Sequence, residues 1–100
     1  MISKPSRRAR EAAESLAVQA LNYVAQDPLR LARFLALTGL DAGSIRAAAA
    51  ESGFLAGVLA HLGADEELLR AFAAEAGIAP AEVDRARRVL AGGDWEREVP

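Results

Sequence analysis

The chain has no cysteine, one histidine and five aromatic side chains in 100 residues. Without cysteine there is no disulfide framework, no thiolate nucleophile and no zinc site built on sulfur. The absence fits a reducing compartment, and the expected location is cytoplasmic. The single histidine, His61, leaves metal ligation to carboxylates, and their spacing marks no site. No Gly-x-Gly-x-x-Gly or phosphate-loop pattern occurs, so nothing points to a nucleotide cofactor. No stretch approaches the ~18 apolar residues of a membrane span. The basic start (Lys4, Arg7, Arg8, Arg10) meets Glu11 and Glu14 rather than an apolar run, which is unlike a signal peptide. A net charge of −2 argues against a protein that coats nucleic acid. The expectation is a chain with no cofactor, no membrane partner and no small-molecule ligand.

Alanine fills the space these absences leave, with 24 of the 100 residues. It has the highest helix propensity and little side chain to bury. The fold class expected is all-α, a single compact bundle of five to six short helices. A helical domain over 6–93 is flanked by tails at 1–5 and 94–100. Apolar residues at helical spacing (Ala13, Leu16, Ala17, Ala20, Leu21, Val24) predict a first helix over 7–26. Asp27-Pro28 ends it and opens a second, to Thr38, with Asp27 as cap and proline at the first position. Gly39 has the place of a left-handed stop. A third helix is expected from after Asp41 to Ala50, with Ile45, Ala48 and Ala49 inward. A fourth over 53–62 carries the strongest apolar face: Phe54, Leu55, Val58, Leu59 and Leu62. Asp65 caps the fifth, which Gly77 stops. Pro80 opens the sixth, which Gly92-Gly93 ends. Leu31, Phe34, Leu55, Leu59, Leu69 and Phe72 are the expected core.

The chain reads as if one stretch were written twice. Shifted by 38 residues, Asp27–Ala48 lies on Asp65–Ala86 with six identities in 22 positions. Phe34 meets Phe72, Gly39 meets Gly77 and Ile45 meets Val83. Upstream, Tyr23 meets His61 and Val24 meets Leu62. The expectation is two three-helix units, about 14–52 and 53–91, related by a pseudo-twofold axis.

The segments DPLRLARFLALTGL, GFLAGVL and DEELLRAFAAEAG resemble a family of small bacterial proteins known as domain of unknown function 3572. The resemblance covers about 14–91. It implies a small helical protein and carries no activity, cofactor or catalytic residue. The chain departs from the family pattern at Gly53, where proline is expected, and at His61, where an aromatic is expected.

Function is read as non-enzymatic, as a protein-interaction module. His61 reads first as a helix-end packing residue. With Tyr23 and Trp95 it is also a candidate partner contact. The alternative is a helix-turn-helix DNA-binding protein. Ala73, Gly77, Ile78 and Val83 match that motif's spacing, and the helix 80–91 would present Arg85, Arg87 and Arg88 to the major groove. Against it stand Glu82 and Asp84, beside the arginines. The segment from Gly77 to Trp95 also faintly resembles a ubiquitin-associated domain, which binds proteins through its exposed turn and last helix. Monomer and homodimer are both open. The basic 4–10 stretch and the acidic 65–67 stretch are candidates to meet within or between chains.

Overall fold

The computed structural model describes residues 6–41 and 43–91. They form six α-helices and no strand: α1 (Arg7–Ala25), α2 (Pro28–Thr38), α3 (Ile45–Ala48), α4 (Ser52–Gly63), α5 (Glu66–Ala76) and α6 (Pro80–Leu90). The chain is an all-α bundle.

The helix ends follow from local chemistry. Unpaired N–H groups at a helix start need acceptors. Ser6 Oγ accepts from the Ala9 N–H at 3.0 Å, Asp27 Oδ1 from Leu29 at 2.9 Å, and Asp65 Oδ1 from Leu68 at 3.1 Å. Ala79 has no acceptor to offer α6. There the Glu82 carboxylate reaches back instead and accepts the Ala79 N–H at 3.1 Å. Gly39 and Gly77 end α2 and α5 at φ 76° and 72°, a region that costs an L-residue about 1–2 kcal/mol. After Gly77 the Ile78 N–H closes back onto the Ala73 carbonyl at 3.0 Å, the Schellman closure. After Gly39 the Leu40 N–H turns to Thr38 Oγ1 at 3.4 Å.

Helices α1, α4 and α6 pack on one another and form the centre. Their inward residues are Ala13, Ala17, Ala20, Leu21 and Val24 from α1, Leu55, Val58, Leu59 and Leu62 from α4, and Val83, Ala86 and Leu90 from α6. The alanines on α1 let its backbone come close to its neighbours. Helices α2 and α5 lie outside this trio, and each sends one phenylalanine into the core: Phe34 and Phe72, 1% and 2% exposed. Of the six expected core residues, Phe34, Leu55, Leu59 and Phe72 are buried. Leu31 and Leu69 are only half-buried, and Leu68 takes the buried place on α5.

The third helix is the main correction. It is one turn, 45–48, and none of its residues is buried. Ser44 makes no side-chain cap bond to it. Asp41 Oδ1 instead holds the Ser44 N–H and hydroxyl at 2.9 and 3.1 Å in a local turn. Four consecutive alanines give this stretch too little apolar surface to hold a longer helix against the bundle.

The 38-residue correspondence in sequence relates the helix pairs α1–α2 and α4–α5. A twofold relation that exchanges them must turn the pair Phe34–His61 into Phe72–Tyr23. Both pairs exist, with ring centroids 5.1 and 5.6 Å apart. Such an axis also brings a residue against its own counterpart. Ser52 Oγ donates to Glu14 Oε2 at 3.5 Å, 38 positions away. The third helices break the relation: α6 packs against both α1 and α4, and α3 does not take the matching place.

Candidate interaction surface

Helix α2 is apolar on two sides. Phe34, Leu31 and Leu35 turn toward the bundle, with Phe34 meeting Phe54 and His61 edge-on. The opposite side carries Leu29, Ala32, Arg33, Ala36 and Leu37, spaced so that they form one stripe. All five are exposed, Leu29 to 82% and Leu37 to 70%. A helix with apolar residues on two sides is ordinarily covered on both. Among the described residues, nothing covers this one.

The repeat supplies an internal comparison. Helix α5 holds the counterpart position, with the same cap, the same stop and an equivalent inward phenylalanine. The residues matching Leu29, Ala32, Ala36 and Leu37 are Glu67, Arg70, Ala74 and Glu75. They are exposed as well, and Arg70 pairs with Glu66 at 3.1 Å. One copy of the face is built for water, and the other has lost its charges except Arg33.

Between α2 and α5 lies a small cavity of about 160 Å³. Arg30 and Arg33 line it from α2, and their counterparts Leu68 and Ala71 line it from α5, with His61, Asp65 and Glu67 at its edge. The Arg30 guanidinium lies 5.0 Å from the centre of the Tyr23 ring, a cation–π distance. Burial holds the His61 imidazole below its usual pKa of 6.5; Asp65 acts in the opposite sense, and Arg33 lowers it further. Carboxylates and guanidinia share this cavity, so it offers no single-sign site for an ion.

The other expected contacts fall out differently. Tyr23 and His61 are half-buried, and their rings are taken up by Phe72 and Phe34. Trp95, Lys4 and the tails at 1–5 and 94–100 lie outside the described residues. On α6 two of the three arginines share one carboxylate. Asp84 Oδ1 accepts from Arg87 at 3.0 and 3.1 Å, and Asp84 Oδ2 lies 3.3 Å from Arg88. Arg85 sits elsewhere, on a groove of about 430 Å³ between α1 and α6 with Leu16, Ile78, Glu82 and Val89. Of the basic N-terminal stretch, Arg7 pairs with Glu11 on its own helix at 3.5 Å. Asp65 is occupied as a cap. Among the described residues no helix is long and apolar enough to cross a membrane, and no carboxylate–histidine group is arranged to hold a metal.

The outer stripe of α2 is the feature that reading the sequence for inward faces passes over. Its signal was present: Leu29, Leu37 and the alanines between them recur at helical spacing along the exposed side of α2.

A family model described as "Protein of unknown function (DUF3572)" matches residues 10–93. No curated protein and no solved structure matches the chain.

Proposed function

The chain belongs to this family of proteins of unknown function, and from that premise we propose that it works as a protein-interaction module through the outer face of α2. One observation carries the reading: this face is apolar and exposed, whereas its counterpart on α5 is charged. Leaving two leucines in water forgoes about 1.5–3 kcal/mol of burial for each. Exposed apolar patches of this kind mark contact surfaces. The α1–α4–α6 core gives the helix a rigid mount, and Phe34 fixes which side points outward.

The test is the size of the assembly that contains the protein. Leu29→Glu with Leu37→Glu rewrites the face with the residues that α5 carries at the same places, so folding is retained. In gel filtration of extract from the source cell, the wild-type protein elutes above its 10.5 kDa monomer mass, and the double variant elutes as monomer. Identical elution of the two, together with a pure protein that stays monomeric at the highest concentration, would refute the reading.

A further inference from the structure

We infer that the occupant of the α2 outer face is α2 of a second copy, packed antiparallel in a weak symmetric dimer. The inference rests on the interaction reading above and deepens it. Three features favour a second copy.

The face is self-complementary. A leucine stands at each end of it, Leu29 and Leu37, with Ala32, Arg33 and Ala36 between them. An antiparallel pairing can set Leu37 of one copy over the partner's Ala32, and a twofold axis then repeats that contact at the other end. In the same register Leu29 meets the partner's Leu40, which is half-buried at the end of α2. Small residues facing leucines let the two helices interdigitate.

The one charge on the face, Arg33, also lines the cavity between α2 and α5 and has a second place to go. In this register Arg33 passes the partner's Ala36, so the two guanidinia do not face each other. Helical side chains lean toward their own N-terminus. In an antiparallel pair that direction is the partner's C-terminal end. The last turn of α2 has no basic residue of its own, and Asp41 lies just beyond it, exposed. Each Arg33 would bring positive charge to that end in trans, where the helix dipole favours it.

The size of the face sets the strength. An eleven-residue helix is only ~16 Å long. A contact made by one such face from each copy falls below about 1,200 Å² in total, the range of weak and transient pairs. The expected dimer is concentration-dependent rather than permanent.

Sedimentation equilibrium on the full untagged chain tests this, with circular dichroism to confirm that each variant is folded. The wild-type mass should rise from 10.5 kDa toward twice that value as concentration approaches about 1 mM, as weak association requires. Leu37→Glu should raise the dissociation constant by roughly 30-fold or more, the effect of removing an interface anchor. Adding Ala32→Arg to Leu37→Glu should recover at least about tenfold, because the new guanidinium then faces the partner's new carboxylate. A wild-type protein that stays monomeric at the highest concentration overturns the dimer. A double variant no tighter than Leu37→Glu overturns the antiparallel register. If the pure protein is monomeric but its assembly in extract still depends on Leu29 and Leu37, this inference fails and the interaction reading stands. If neither assembly exists, both fail.

Discussion

Single residues separate the roles that the same amino acid plays along this chain, and glycine is the clearest case. Gly39 and Gly77 sit at positive φ, where a side chain is strained even though a Cβ would meet nothing. Gly57 lies exposed within α4, and a Cβ there would also meet open space. Gly77→Ala should therefore lower stability by about 1 kcal/mol or more. Gly57→Ala should raise it by about 0.5–1 kcal/mol. Urea unfolding of the two variants gives the comparison, and shifts of the same sign would contradict it. Gly39 and Gly77 were legible as stops because each follows a helical apolar pattern and precedes an apolar residue. His61 makes a second residue-scale prediction. Its folded pKa lies below the unfolded value, so the folded state binds fewer protons. The stability it supports is complete above the unfolded pKa and is lost as pH falls through the folded one. His61→Phe should keep the packing on Phe34 and remove that loss. Unfolding midpoints at about pH 7.5 and about pH 5.5 should fall further on acidification for the wild type than for the variant. Parallel losses would mean that folding does not lower the His61 pKa.

At the scale of elements, the longer helices were readable, α4 among them without a side-chain cap, and the single turn of α3 was not. Asp27, Asp65 and the two prolines announce where helices start, and the structure agrees to within a residue or two. For α3 the alanine run favours helix, but helix propensity alone does not sustain a short segment without packing. Nothing in 42–50 is large enough to supply that packing except Ile45, which is half-buried. Amides of Arg46–Ala50 should exchange with solvent far faster than those of Val58–Leu62, since few buried contacts oppose local opening. Hydrogen exchange read residue by residue checks this, and comparable protection would mean that the turn is held by contacts outside the described residues. Leu31 and Leu69, both expected in the core, prove half-buried. On both helices the phenylalanine is the largest fully buried side chain.

For the whole molecule, the organising fact is the α1–α4–α6 trio with α2 and α5 outside it, and the differences between α2 and α5 are where function is sought. The exchange of Phe34–His61 with Phe72–Tyr23 relates the two helix pairs. Replacement of a counterpart of α6 by the short α3 leaves α1 and α4 to share one third helix. The fold class was legible because apolar spacing and caps agree along most of the chain. The interaction surface was not, since periodicity tells which residues share a face but not whether the bundle covers it. Leu29 and Leu37 became informative only when α2 was seen at the edge, beside a counterpart carrying Glu67 and Glu75. The most direct measurement uses that pairing as its own control. A photo-crosslinking amino acid is placed at Ala36 in one strain and at the matching Ala74 in another, and the source cells are illuminated. The account predicts a discrete protein adduct from position 36, whether a second copy or another protein, and none from position 74. No adduct at 36, or equal adducts at both, would contradict it.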